Sequence, residues 1–218
     1  MRNLAKAQLL KAVLVLLLVG SLTQCKQPAA TDIAYAELPA YHDLKAKVLN
    51  AVIEIPAGTS KKYEYKSSSN RFVVDQKDGK NRIINYLPYP GNYGYIPATL
   101  MDKEKGGDGD ALDILVLCEH LPQGTVVRVK PIAIFHMNDN DERDSKVIAV
   151  PVDESLRSFK VDDYKMLNAK FLKAKIGIEY WFTNYKGSEN QITEIHWQDE
   201  VAAYREINKW LINKIGVD

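Results

Sequence analysis

The stretch GGDGDALDIL, residues 106–115, places three carboxylates, Asp108, Asp110 and Asp113, within six positions. Two glycines precede them, a third separates the first two, and an apolar run follows. Asp and Gly are ordinary turn residues, so a solvated loop would account for this composition taken alone. Three acids at the mouth of an apolar strand would equally suit a hard cation, which prefers oxygen ligands.

Other acids recur inside strand-like runs. In VIEIP, Glu54 lies between Ile53 and Ile55, so the pleat turns it to the opposite face. In KKYEY, Lys62 and Glu64 share one face and Tyr63 and Tyr65 the other. In DSKVIAV, Asp144 and Lys146 share a face, and Asp139 lies just upstream, with Asp141 reading as a solvated loop acid. Turned outward, these faces would form a solvated surface. Turned to one cavity, Glu54, Glu64, Asp108, Asp110, Asp113, Asp139 and Asp144 would repel one another, and several would be protonated without compensation. Divalent cations are the usual compensation for such a cluster. Calcium binding in an EF-hand fits poorly. DKEKGGDGDALD puts Asp102, Glu104, Gly107 and Asp113 at suitable positions, but Gly106 stands where a ligand belongs and the flanks do not read as helices.

The heptad DGDALDI resembles the signature of the soluble, Mg-dependent inorganic pyrophosphatases. EIPAG, KYEY, PGNYGYIP, DGDALDIL, NDNDERDSKVIAVP and TNYKG follow in that family's order at compatible spacings, over roughly residues 50–200. Ala111 departs from the Pro, or sometimes Glu, usual within the signature. The resemblance implies hydrolysis of pyrophosphate to two phosphates at a multi-Mg²⁺ site. Asp108, Asp113 and Asp144 would ligate a first metal, with Asp113 shared by a second. Asp139 and Asp144 would hold a metal arriving with substrate, and Glu54 and Glu64 would support metals or their waters. Asp110 would be the general base, Tyr93 would hydrogen-bond near the nucleophile, and Lys62, Arg82, Lys146, Tyr185 and Lys186 would grip phosphate oxygens. Arg71 is the alternative to Arg82, because IINYLPYPGN does not follow the usual spacing. Metals sharing a water lower its pKa from 15.7 toward ~7, and phosphoryl transfer is otherwise positioning and charge stabilisation. The alternative of another class is a non-catalytic lipoprotein binding divalent metals or phosphate compounds on the same scaffold. The intact Asp110 and signature aspartates favour the enzyme.

The elements that must position these residues are mostly strands. VLNAVIEIP, KKYEYKSS, NRFVVDQ, ALDILVLCE, TVVRVKPIAIF and KVIAVPV have β-branched and aromatic texture, with KDGK, HLPQG and NDNDERDS as turns or separators. VDDYKMLNAKFLKAKIGIEYWFTNY suits one amphipathic helix beginning near Asp162 or Asp163, and DEVAAYREINKWLINKI a second. Strands first and helices last predict an α+β domain, a small closed OB-like β-barrel flanked by two or more helices. His42, His120, His136 and His196 are scattered and read as structural. Trp181, Trp197 and Trp210 read as core or interface.

The 218 residues, 46% hydrophobic and 26% charged, suffice for one folded domain. Residues 1–24 read as a signal peptide: Arg2, Lys6 and Lys11, then a short apolar stretch Ala12–Val19, then SLTQC ending at Cys25. Leu22 three residues before Cys25 resembles a bacterial lipobox, although Gln24 stands where a small residue is usual. This predicts a lipidated Cys25, anchoring to a bacterial membrane, and a periplasmic or cell-surface location. Residues 25–45 then read as a tether and 46–218 as the catalytic domain. Beyond residue 24 the chain holds 26 Lys and Arg against 28 Asp and Glu, because three of the 29 basic residues precede it. Such a balance, without a basic aromatic-studded groove, excludes a nucleic-acid partner. Cys118, in LDILVLCE, reads as a small buried hydrophobe. The family resemblance implies a homo-oligomer.

Overall fold

The computed structural model describes residues 33–140, 142–158, 160–187 and 192–212. Eleven strands occur among them: β1 (Tyr41–Asp43), β2 (Val48–Ile55), β3 (Tyr63–Lys66), β4 (Arg71–Val74), β5 (Gln76–Lys77), β6 (Lys80–Asn81), β7 (Asn92–Tyr95), β8 (Asp113–Val116), β9 (Val126–Asp139), β10 (Glu142–Pro151) and β11 (Ile192–Asp199). Three α-helices follow the barrel strands: α1 (Tyr164–Lys170), α2 (Leu172–Asn184) and α3 (Glu200–Trp210). Seven strands form one sheet in the order β1-β2-β7-β8-β10-β9-β11, and β2 also pairs with β9. That extra pairing closes β2, β7, β8, β10 and β9 into a five-stranded barrel. Closure removes the free edges that a short open sheet would expose. Within the ring only β8 and β10 run parallel. The expected OB-like α+β barrel is the observed architecture.

The barrel interior is filled from β2, β8, β9 and β10. Leu49, Ala51, Ile53, Ile114, Val116, Val129, Ile134, Val147 and Ala149 pack together and are covered by Ala203, Ile207 and Trp210 of α3. A second cluster on the other side joins Ile55, Leu115, Phe135 and Ile148 to Ile178, Trp181 and Phe182 of α2. Fully burying one such aliphatic side chain is worth about 1.5–3 kcal/mol. Trp181 and Trp210 are therefore core, Trp197 packs at its margin, and Cys118 is buried. Gly94 permits the close approach of β7 to β2. A Cβ there would lie 1.8 Å from the Val52 carbonyl oxygen, inside any van der Waals contact.

Several expectations need correction. The tether expected over 25–45 does not extend that far. Tyr35 is buried with its hydroxyl donating to the Gly124 carbonyl, Tyr41–Asp43 pairs with β2, and the folded unit begins by Ile33. Cys25 and the 1–24 segment lie outside the described residues, as does Asp141. The separator NDNDERDS is mostly strand, since β9 and β10 pair from Asp139 opposite Glu142 down to Val129 opposite Pro151. The single helix expected over 161–185 is two, interrupted at Phe171 with φ −126° and ψ 28°. Its start at Asp163 holds, because that carboxylate caps α1 by accepting from the Met166 amide at 2.6 Å. Asp199 caps α3 in the same way, accepting from Ala202.

Candidate active site

One large cavity, about 620 Å³, opens on the barrel where β2, β7, β8 and β10 present their polar residues. It is lined by all thirteen residues expected to bind metal or substrate or to move a proton: Glu54, Lys62, Glu64, Arg82, Tyr93, Asp108, Asp110, Asp113, Asp139, Asp144, Lys146, Tyr185 and Lys186. The four histidines lie elsewhere. The pleat explains the strand contributions. Glu54 alternates with buried Ile53 and Ile55, Tyr93 with Gly94, and Asp144 and Lys146 with Ser145 and Val147. Lys146 pairs in register with Asp113 across the parallel β8–β10 ladder, which brings the end of the signature loop to the centre of the site.

The signature loop is held by its own backbone. Gly109, at φ +89°, donates its amide to the Met101 carbonyl, Met101 donates its own amide to the Asp110 carbonyl, and both bonds are 2.7 Å. Asp108 accepts the Asp110 amide at 2.9 Å. These ties leave Asp110 exposed at the cavity mouth and Asp108 partly buried beside Asp113. Ala111 also lines the cavity.

At the floor sits Lys146, only 1% exposed. Its ammonium donates to Asp144 Oδ1 at 2.6 Å, to Asp113 Oδ2 at 2.8 Å and to Tyr93 Oη at 3.1 Å, while Tyr93 donates to Asp113. Burial opposes the charge on Lys146, but Asp113 and Asp144 prevail and hold it protonated well above the usual lysine range. Burial, and then the nearby Asp113 and Asp144 carboxylates, drive the Tyr93 phenol well above its usual range, so it serves as a donor. Lys186, just beyond α2, pairs with Asp139. Tyr185 stacks on Trp181 at 4.5 Å between ring centroids.

Burial, opposed by a 2.6 Å hydrogen bond from the Tyr65 amide, pushes the Glu54 carboxyl up to about 8. Burial likewise lifts Asp108 to about 6, with Asp113 and Asp144 adding to the rise. Carboxyls whose ionisation is opposed by desolvation and like charge are groups whose charged form an added cation would stabilise. The donor set is all oxygen, which suits a hard ion such as Mg²⁺. As the side chains stand, no three acids among the described residues converge into a coordination shell. Mg²⁺ does not need that, because it retains several waters and binds through one or two carboxylates. The residues therefore fit the metal.

The opposite wall is a row of alternating charges. Lys66 pairs with Glu64 at 2.8 Å, Glu64 with Lys62 at 2.5 Å, Lys62 with Asp75 at 3.3 Å, and Asp75 with Arg82 at 2.6 Å. Glu64, expected at the metal rim, thus has both oxygens on lysines. Arg82 reaches the cavity through the β5–β6 hairpin, whose Asp78–Gly79 turn returns the chain at the level of Asp75. Arg71 is exposed and does not line it. Asp75, Lys66, Glu142 and Tyr95 also line the cavity and were not expected. Asp75 follows VV in FVVDQ, and its alternation with Val74 is a signal that could have placed it. Tyr95 follows Tyr93 by two residues on the same strand face. Its buried hydroxyl has no hydrogen-bond partner among the described residues.

A closed barrel whose large cavity sets an aspartate cluster around Lys146 against a row of alternating cations and acids suits hard metal ions and a small polyanion. The family model for inorganic pyrophosphatase matches residues 51–214. The chain is 37% identical over 181 residues to inorganic pyrophosphatase 1 of Pseudomonas syringae pv. tomato, covering 81% of this chain and 95% of that one. It is similar to the crystal structure of inorganic pyrophosphatase from Thermus thermophilus, with a TM-score of 0.68 and 30% identity over 83% of this chain and 97% of the other. A truncated Trypanosoma cruzi vacuolar soluble pyrophosphatase in complex with PPi superposes with a TM-score of 0.71 at 25% identity, over 80% of this chain and 74% of that one. The chain belongs to the inorganic pyrophosphatase family.

Proposed function

We propose that this protein is an inorganic diphosphatase, hydrolysing pyrophosphate to two phosphates with Mg²⁺ as cofactor. The observation that carries the reading is the convergence of thirteen residues, scattered from Glu54 to Lys186, on one cavity of a chain in this family. Asp108, Asp113, Asp139 and Asp144 would hold the metals, with Glu54 at the rim. When bound, the metals supply positive charge to the phosphate oxygens and acidify the attacking water. Asp110, exposed at the mouth, accepts the proton as the water oxygen bonds to phosphorus and the bridging P–O bond breaks. Tyr93, kept as a donor by its burial, orients groups beside Asp113. Lys62, Arg82, Lys146, Tyr185 and Lys186 supply donors to the phosphate oxygens and offset the charge of the departing phosphate.

Phosphate release from pyrophosphate with Mg²⁺, with Ca²⁺ and with EDTA tests this, beside Asp110→Asn. The expected result is Mg-dependent release abolished by EDTA, with kcat about 10²–10⁴-fold lower in the variant. Binding of pyrophosphate without release would refute the enzyme and favour the binding protein.

The same proposal places the protein outside the cytoplasm, lipid-anchored through Cys25 in the periplasm or at the cell surface, where it would recover phosphate from pyrophosphate. The basic, apolar and LTQC segments of residues 1–25 support this. Among the described residues no helix is long and apolar enough to cross a membrane. Loss of membrane association and of fatty-acid labelling in Cys25→Ser is expected, and a variant that still fractionates with membranes refutes the anchor. The proposal includes a homo-oligomer. Exposed Leu172, Ile176 and Tyr180 at four-residue spacing on α2 support it, and sedimentation of a monomer at micromolar concentration would refute it.

A further inference from the structure

The cation wall is built from three short backbone segments bonded to one another. Asp75 donates its amide to the Lys62 carbonyl at 2.8 Å, Lys62 donates to Arg82 at 3.0 Å, and Arg82 donates to Asp75 at 2.8 Å. This brings the three side chains to one level of the wall although they lie up to twenty residues apart in the chain. The Asp75 carboxylate sits between the two cations. Its Oδ2 accepts from Arg82 Nη1 at 2.6 Å and from Lys62 Nζ at 3.3 Å, and its Oδ1 accepts from the Gln76 amide at 2.7 Å. Both oxygens are thereby occupied by protein donors.

We propose that Asp75 is a positioning residue for substrate: it holds Lys62 and Arg82 in place, with their remaining N–H groups available to one phosphate of pyrophosphate. The inference rests on the reading of the cavity as a pyrophosphate site. Arg82 depends on Asp75 most. Asp75 is its ion-pair partner among the described residues, whereas Lys62 is also held by Glu64 at 2.5 Å. Lys and Arg are long and rotamer-rich, so a pair already fixed loses less freedom on gripping an anion than a pair free in solvent. Arg also offers several donors in a planar fork, so a monodentate bond to Asp75 through one nitrogen leaves others for a phosphate. Because its oxygens are already engaged, Asp75 acts through these cations and not through a metal.

The test compares wild type, Asp75→Asn and Asp75→Glu in steady-state pyrophosphate hydrolysis, with Mg²⁺ titrated separately and pyrophosphate binding measured by calorimetry. Asp75→Asn is expected to raise KM and the pyrophosphate Kd by roughly 10-fold, the loss of order in two side chains, with kcat within about threefold. The Mg²⁺ midpoint for activation should not move, and Asp75→Glu should recover much of the lost affinity. An unchanged or lower KM in Asp75→Asn would overturn the inference, because the carboxylate would then merely neutralise the cations. A shifted Mg²⁺ midpoint with unchanged KM would also overturn it, assigning Asp75 to a metal. A wild type inert toward pyrophosphate would overturn the proposed function instead, and the Kd comparison would still decide the role of Asp75.

Discussion

Replacing Lys146 by Met should convert the floor of the cavity from a compensated to an uncompensated cluster. The Lys146 side chain is 2% exposed, and its ammonium is shared by Asp144 at 2.6 Å and Asp113 at 2.8 Å. Met has a similar volume, so packing against Tyr93 and Phe182 is largely kept and the charge is what is lost. Removing one partner of a buried pair costs about 3–5 kcal/mol, because the remaining charge stays desolvated. Asp113 keeps 25% of its side chain exposed, which places the expected loss at the lower end, about 3 kcal/mol. A domain of this size changes its Tm by about 2–4 °C per kcal/mol, so calorimetry in EDTA should show a fall of about 6–12 °C. Saturating Mg²⁺ should narrow the gap, because a cation bound to the same carboxylates replaces part of the missing charge. A Tm within about 2 °C of wild type in EDTA would refute the reasoning, since the acids would then not depend on the ammonium.

Two further outcomes follow from groups beside the site. Tyr95→Phe removes a buried hydroxyl that lacks a partner among the described residues. It should raise the Tm in EDTA by at least about 2 °C, because an unsatisfied buried group costs about 1–3 kcal/mol and each kcal/mol moves the Tm of a domain this size by about 2–4 °C. It should also raise KM for pyrophosphate a few-fold if the hydroxyl meets what enters the cavity, and a lowered Tm would show the hydroxyl already satisfied. His136 is buried, accepts or donates at Nδ1 to Ser145 Oγ at 2.8 Å, and is pushed from 6.5 down to about 4 by burial and then by Arg143. It is neutral in the fold while the unfolded chain binds its proton, so its contribution is present above pH 6.5 and lost as pH falls toward 4. His136→Gln should therefore flatten the acid limb of a Tm–pH profile by the equivalent of ~3 kcal/mol, and an unchanged limb would refute the assignment.

The long strands were legible because their interior positions are apolar and β-branched over many residues. β2, β8, β9 and β10 carry Ile, Val and Leu through the barrel core. β11 was not legible. It pairs on the outer side of β9 with most of its side chains exposed, so its sequence ITEIHWQD carries no buried period. β7 is four residues long and contains Gly94, whose value lies in the closeness of β2 and not in propensity. The β9–β10 hairpin read as a loop because its Asp and Asn residues are turn formers. Those residues are polar because of the cavity and the solvent they meet, while their backbones continue the ladder. The break at Phe171 has neither Gly nor Pro to announce it.

By itself the sequence determined the chemistry of the site: acids and bases placed at alternating positions of apolar strands, and a signature loop whose glycines let the chain turn between carboxylates. Order along the chain and strand alternation are local properties, so they can be read locally. Only the tertiary structure decided which acid meets which cation. Lys146 lies 33 residues from Asp113 in sequence, and it meets that carboxylate because the barrel closes with β8 parallel to β10. Asp75, Lys62 and Arg82 share one level of the wall because a two-residue turn brings Arg82 back beside β4. Ring closure and register act between distant segments, and pairwise electrostatics depends on the distances they set.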